Sequence, residues 1–371
     1  MIYSALFELV LGRVDPERAH ALAARVLRLL VAIPGVPWAL RRWTVPHDPA
    51  LRVQALGLTF PSPLGVAAGV DKEATWFRAL GLLGFGFVEV GTVTAAAQPG
   101  NERPRIFRIP SRRALLNRMG FPNPGAAIVA GHLRGRPAEP VVGVNVGKGK
   151  AVALADAGED YRACVRELAP VADYIALNVS SPNTPELRAM QALEPLRALV
   201  GDVRAGLRDA RVTRPLLVKI APDLPDGEIL AVADLALELG LDGILAVNTT
   251  IDRAVLGSAA GSLAAVQGGG VSGPPLAARA LEVLRLLRAR VGERLVLVSV
   301  GGVQEPADVW ERIRAGATLV QAYTGFVYGG PGWPRRVNRE LARRVRAAGR
   351  SSIGELVGDE SREDAPTPTR S

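Results

Sequence analysis

Lysine is scarce among the cations of this chain. Of 45 basic residues only Lys72, Lys148, Lys150 and Lys219 are lysines, the rest being arginine. Against a background that favours arginine so strongly, the retained ammonium groups mark candidate sites where a planar fork would not serve and a compact point charge would. Asparagines recur in the same stretches, at Asn117, Asn145, Asn178, Asn183 and Asn248. Each carboxamide can donate to a carbonyl or carboxylate and accept from a ring N–H. Ser181 sits in Asn178-Val179-Ser180-Ser181-Pro182-Asn183. By itself it reads as a turn cap before proline; as a proton-moving hydroxyl it would need a path to an acceptor, since a free hydroxyl ionises only at high pH. Other chemistries are disfavoured. One cysteine, Cys164, excludes a disulfide framework and a multi-thiolate metal site and fits a reducing compartment. His20, His47 and His132 lack ligand-like spacing, so no metal centre is expected.

The elements that must position these groups are short apolar runs: Leu64–Ala67, Phe87–Val90, Val141–Val146, Tyr174–Val179, Leu216–Ile220, Gly243–Val247, Leu295–Val300 and Leu319–Tyr323. Several are continuously hydrophobic, as strands buried on both faces of a parallel sheet should be. Helical segments such as Asp226–Leu239 and Pro275–Val291 lie between them. The alternation predicts an α/β fold, a (β/α)8 TIM barrel rather than a doubly wound sheet, with its site at the C-terminal strand ends. Those ends carry Lys72, Thr92, Asn145, Asn178, Ser181, Lys219, Asn248 and Thr249. So many buried polar groups at equivalent positions would require a ligand to satisfy them. Gly301-Gly302 and Thr324-Gly325, with the run Gly268-Gly269-Gly270-Val271-Ser272-Gly273, stand where barrels commonly hold phosphate on backbone N–H groups. There is no Walker loop and no GxGxxG after a first strand, which disfavours ATP and a Rossmann-bound nicotinamide.

At 48% hydrophobic and 22% charged residues the chain is a folding globular one. Residues 1–46 read as a helical extension. A short helix is expected over Ser4–Leu11, and a second from Asp15 as N-cap and Pro16 to about Val31. Arg18, Arg25 and Arg28 interrupt the second, so it cannot make the run of ~20 apolar residues that a membrane span needs. The extension either lies in a membrane interface or caps the barrel. Residues 47–350 form the barrel, and the polar stretch 351–371 is expected to be disordered. The net charge of +9 is not gathered into a basic tail. The densest block, Arg335–Arg350, is an amphipathic helix with an apolar stripe at Val337, Leu341 and Val345, so nucleic-acid binding is not expected. Cys164 falls in a helical stretch and reads as core.

Five segments together are specific: Ala67-Ala68-Gly69-Val70-Asp71-Lys72, Asn117-Arg118-Met119-Gly120-Phe121, Asn178 to Pro185, Val218-Lys219-Ile220-Ala221-Pro222-Asp223 and Val247-Asn248-Thr249-Thr250. Along residues 1–345 the chain resembles the class 2 dihydroorotate dehydrogenases, the membrane-associated and quinone-dependent kind. The resemblance implies FMN-dependent oxidation of dihydroorotate to orotate in pyrimidine synthesis, with hydride passing to flavin N5. It implies Ser181 as the catalytic base, where the class 1 enzymes use a cysteine. It also implies that Lys72, Asn117, Arg118, Met119, Gly120, Phe121, Asn178, Asn183, Asn248 and Thr249 bind substrate. FMN would meet Ala68, Gly69, Val70, Asp71, Lys72, Thr92, Asn145, Asn178, Lys219, Val247, Gly273, Gly302, Tyr323 and Thr324, with Lys219 beside flavin N1 and O2. Val247 stands where relatives carry a hydroxyl, so only a backbone contact would persist there. By the same resemblance residues 1–46 form a quinone tunnel whose inner end is lined by His20, Arg108 and Tyr323. The protein would be a monomer bound peripherally to the cytoplasmic side of the cell membrane. An FMN barrel using NAD or fumarate, or a non-catalytic scaffold at a membrane surface, are the competing readings. Lys148 and Lys150 are loop charges without an assigned role.

Overall fold

All eight apolar runs form strands: β1 Leu64–Val66, β2 Phe87–Val93, β3 Val141–Val146, β4 Tyr174–Asn178, β5 Leu216–Ile220, β6 Gly243–Ala246, β7 Val296–Val300 and β8 Leu319–Ala322. In the computed structural model, which describes Tyr3, Phe7 and residues 11–184, 186–263 and 265–360, they close into one parallel barrel. The order runs β1-β2-β3-β4-β5-β6-β7-β8 and returns to β1. Every residue of β2, β3, β4 and β5 is buried, which is why those runs lack the alternation of a half-exposed sheet. Glycines make room for rings inside. A Cβ on Gly65 would meet the Phe87 ring at 2.4 Å, and one on Gly143 the Tyr174 ring at 1.9 Å. The hairpin Val53–Ala55 with Leu58–Phe60 closes the N-terminal end, where Phe60 meets Phe87 edge-on at 5.3 Å.

Helices alternate with the strands. Cys164 is fully buried on Ala157–Leu168. The helices α3, Ala277–Val291, and α4, Trp333–Ala347, pack on the barrel, and α4 buries the stripe Val337, Leu341 and Val345 completely. Three antiparallel strands absent from the sequence reading, Ile106–Ile109, Ala114–Asn117 and Gly270–Ser272, form a small sheet over the C-terminal mouth. They are three or four residues long, too short to show a period.

The extension contains α1, Pro16–Ala32, and α2, Val36–Trp43. Asp15 caps α1 by accepting the Arg18 N–H at 2.9 Å. Tyr3 and Phe7 are helical, while the rest of the helix expected before the turn at Leu11 lies outside the described residues. Neither α1 nor α2 has a buried residue. Among the described residues no single helix is long and apolar enough to cross a membrane; α1 and α2 pass that test only as a pair bent by 104°.

At the other end, the expectation of disorder from residue 351 is corrected. Ile353–Leu356 forms a turn of 3-10 helix capped by Ser352 and Glu355, and Ile353 and Leu356 are buried in the core. Asp359 pairs with Arg314 at 2.8 Å. Two apolar residues and one ion pair suffice to dock a segment whose composition is otherwise polar. Residues 361–371 lie outside the described residues.

Candidate active site

At the C-terminal ends of the strands lies a cavity. Nineteen of the sequence-predicted positions line it: Ala68, Gly69, Lys72, Thr92, Asn117, Met119, Gly120, Phe121, Asn178, Ser181, Asn183, Lys219, Val247, Asn248, Thr249, Gly273, Gly302, Tyr323 and Thr324. Val70, Asp71, Arg118, Asn145, His20 and Arg108 do not. Asp71 is turned to its own backbone, accepting the N–H groups of Thr75 at 3.0 Å and Trp76 at 2.9 Å. Arg118 donates to the Pro104 carbonyl at 3.2 Å.

The buried amides satisfy one another, which corrects the argument that they must await a ligand. Thr92 Oγ1 donates to Asn145 Oδ1 at 2.6 Å, and Asn178 Nδ2 lies 2.9 Å from Thr92 Oγ1 and 3.1 Å from Asn145 Oδ1. Asn248 Nδ2 donates to Asn178 Oδ1 at 3.2 Å and to Ser180 Oγ at 3.0 Å. The network ends on Glu89, a fully buried carboxylate in β2 that the sequence reading missed. Glu89 accepts from Asn145 Nδ2 at 2.9 Å, Tyr174 Oη at 3.1 Å and Gln321 Nε2 at 2.8 Å. A charge inside a hydrophobic strand was the available signal, since an isolated buried carboxylate is too costly to keep without partners. The consequence is a set of amides whose donor and acceptor ends are fixed before anything binds.

Two lysines line the cavity. Lys219, in β5, is 5% exposed and its ammonium makes no hydrogen bond among the described residues. Burial pulls its pKa down while the Glu89 charge holds it up. Lys72 donates to the Gly69 carbonyl at 2.6 Å, and burial pushes it down to about 8. The other two stand outside. Lys148 is buried under its own loop, donating to the Gly149 and Val152 carbonyls at 3.2 and 2.5 Å. Exposed Lys150 donates to Asn101 Oδ1 at 2.8 Å.

Ser181 stands at a boundary. It is 4% exposed and lines both the central cavity and an outer basin that includes Thr184, Arg188 and Lys150. Its Oγ accepts the Asn183 N–H at 3.2 Å. Thr184, whose buried hydroxyl has no partner among the described residues, lines the same basin. Arg188, also missed in the sequence, braces this wall. It donates to the Ser180 carbonyl at 3.1 Å and the Thr249 carbonyl at 3.2 Å and pairs with Asp223 at 2.9 Å.

Another part of the lining is built from glycine loops. Gly273, Gly301 and Gly302 adopt φ of 102°, 110° and 79°, conformations that L side chains rarely hold. A Cβ on Gly302 would lie 2.3 Å from Ala277 Cα, at the start of α3. Ser272 and Thr324 hydroxyls meet at 2.8 Å beside these loops. With Ala67, Leu276, Val300 and Val303 as apolar lining, the cavity combines glycine loops, apolar surface and, in Lys219, a cation without a hydrogen-bond partner among the described residues. That donor set fits a planar, phosphate-bearing cofactor.

The three predicted quinone-site residues are not gathered in one cavity. Tyr323 lines the central cavity and packs with Phe7, Leu115 and Tyr328, and Arg108 lies over the Phe7 ring at 5.7 Å. His20 lies in a separate cavity between α1 and the barrel, edge-on to Trp76 at 5.4 Å. Tyr323 stands against Gly69, Val70 lines the His20 cavity, and Lys72, Met119 and Pro122 line both cavities. Partial burial against the barrel and the Lys72 charge push His20 down to about 3, which favours the neutral ring.

The dihydroorotate dehydrogenase family profile matches residues 50–345. A protein of Thermobifida fusca described as "Dihydroorotate dehydrogenase (quinone)" is 54% identical over 363 residues, covering 96% of each chain. One of Rhodococcus opacus with the same description is 56% identical over 349 residues, 94% of this chain and 97% of its own. Among solved structures, a ligand-free dihydroorotate dehydrogenase of Eimeria tenella superposes with a TM-score of 0.84 at 35% identity, over 95% of this chain and 100% of that one.

Proposed function

The chain belongs to the quinone-dependent branch of the dihydroorotate dehydrogenase family, and from that premise we propose how its barrel mouth oxidises dihydroorotate to orotate. The observation that carries the reading is the convergence of Ser181, the locked amide network, two desolvated lysines and a glycine cradle on one cavity. Gly273, Gly301, Gly302 and Thr324 would hold the phosphate of FMN, and Lys219 would place a cation beside its ring system. When bound, FMN supplies the two-electron acceptor that passes reducing equivalents on to quinone.

The rest is done by side chains. Asn117, Asn178, Asn183 and Asn248 bind the carbonyls, ring N–H groups and carboxylate of the substrate, and Lys72 adds a charge near that carboxylate. Because the amides are oriented in advance, little reorganisation is left for the reaction itself. Ser181 Oγ takes the proton from substrate C5. The hydroxyl borders the outer basin, which gives that proton a direction of exit toward solvent. Lys219 stabilises negative charge that develops at the floor of the cavity.

The extension delivers quinone. Leu22, Val26, Leu29, Leu30, Ile33, Trp38 and Trp43 are exposed large apolar side chains on or between α1 and α2, with Arg18, Arg25 and Arg28 among them. This is the composition of a helix pair lying in a bilayer interface. We read residues 1–46 as the membrane-docking unit of a monomeric, peripheral protein on the cytoplasmic side of the cell membrane, with Tyr323 between the quinone and the barrel mouth.

The test is anaerobic addition of dihydroorotate to purified protein. Bleaching of a flavin absorbance band, reversed by a quinone in preference to fumarate or NAD, is the expected result. A preparation that stays colourless after FMN reconstitution overturns the reading.

A further inference from the structure

Asn101 lies outside every motif named above, on the loop between β2 and the small sheet, yet it touches both segments that carry Asn117 and Asn183. Its Nδ2 donates to the Arg118 carbonyl at 3.0 Å and to the Asn183 carbonyl at 3.3 Å, and its own N–H donates to the Met119 carbonyl at 2.9 Å. The approach is close enough to dictate a neighbour. A Cβ on Gly120, at φ 66°, would lie 2.7 Å from the Asn101 amide. Asn183 in turn donates to Asn117 Oδ1 at 3.2 Å and, through its backbone N–H, to Ser181 Oγ.

An amide has two ends, and something must choose between them. Lys150 Nζ lies 2.8 Å from Asn101 Oδ1. An ammonium only donates, so the oxygen is fixed toward Lys150 and the NH2 toward the two carbonyls. The Asn101 carbonyl is held from behind. Arg105, 5% exposed, donates to it at 2.9 Å and to the Pro99 carbonyl at 2.7 Å. Arg105 is itself clamped by Glu17 of α1 at 2.6 Å, and Arg103 joins the same carboxylate at 3.0 Å. Burial works against that charge, but the hydrogen bonds from Arg105 and Arg103 hold Glu17 below the usual carboxylate range.

We propose that Asn101 is a positioning residue that staples the Asn117–Phe121 segment to the Ser181–Asn183 loop, with Lys150 setting its amide and the Glu17–Arg105 pair anchoring its backbone to α1. Asn101 does not touch the reacting atoms. It fixes where Asn117, Asn183 and Ser181 stand relative to one another, and it ties their position to the helical extension. The inference gives Lys150 its role and rests on the assignment of Asn117 and Asn183 to dihydroorotate and orotate.

The experiment is calorimetric titration of the purified protein with orotate. Asn101→Ala removes all three side-chain bonds and is expected to weaken binding about tenfold, and Lys150→Met, at an exposed position, about threefold. Lys150→Arg, which can still donate to the amide oxygen, binds within twofold of the unaltered protein. Because Lys150 acts only through Asn101, the double variant binds no more weakly than Asn101→Ala alone. Losses that multiply when Lys150→Met and Asn101→Ala are combined overturn the relay, as does unchanged affinity in Lys150→Met. If the unaltered protein binds no orotate, the substrate assignment falls instead; if it binds and Asn101→Ala matches it, only the staple falls.

Discussion

The barrel mouth and the α1–α2 extension handle polarity in opposite ways. In the mouth, Glu89, Thr92, Asn145 and Asn178 are buried and bonded to one another. In the extension no residue of either helix is buried, and Trp38 and Trp43 are each 73% exposed. The first region has settled its interactions internally, so its geometry is available before substrate arrives. The second leaves apolar surface that water does not favour, which a bilayer would cover. The contrast is between a mouth whose polar groups are paired internally and an extension whose exposed apolar side chains, on the proposed reading, a bilayer completes.

Four measurements would break or sharpen this contrast. The largest effect is expected from Ser181→Ala, with reduction by dihydroorotate slowed by about 10²–10⁴-fold in stopped flow while the flavin is retained. Bleaching at the unaltered rate would remove Ser181 as base. Next is Glu89→Leu, which leaves the Asn145 amide, the Tyr174 hydroxyl and the Gln321 amide without their acceptor. Urea unfolding should reveal a loss of about 3 kcal/mol, and a loss below about 0.5 kcal/mol would mean that the mouth is not a locked network.

A titration comes third. Lys72 binds an anion only while protonated, and its pKa in the free protein is about 8. Orotate affinity should therefore be flat below that pH and fall as pH rises through it, about tenfold per unit well above. Lys72→Met should abolish that dependence; a slope that survives would assign it to another group. His20, at about 3, should contribute no step between pH 5 and 8. Smallest is the extension. Trp38→Ser and Trp43→Ser should each lower partitioning onto lipid vesicles by roughly fivefold to tenfold, leaving orotate affinity unchanged. Equal partitioning of the variants would mean that this face meets something other than a bilayer.

Much of the barrel was legible in the chain because burial on both faces writes itself as uninterrupted apolar runs. β3 and β5 match the runs read from the sequence at both ends, and the other six differ by up to three residues. The Asp15 cap and the α4 stripe were legible for the same local reason, a side chain acting within one helix. The small sheet over the mouth was not, since Ala114–Asn117 pairs with Gly270–Ser272 across a long stretch of chain and neither strand shows a period. The docking of Ile353 and Leu356 escaped too: two apolar residues in a polar tail say nothing until a groove exists to receive them.

The lysines divide along the same line. Residue type and local motif sufficed to place Lys72, Lys219 and Ser181 at one strand-end mouth, because strand order maps onto position in a closed barrel. Which polar groups would satisfy which was a different matter. That Asn145 and Asn178 answer to Thr92 and Glu89, that Lys150 orients Asn101, and that Glu17 reaches Arg105 are facts about side chains between 49 and 88 residues apart. Hydrogen bonds form over about 3 Å and are indifferent to separation along the chain. Only the folded backbone could bring these pairs within that range.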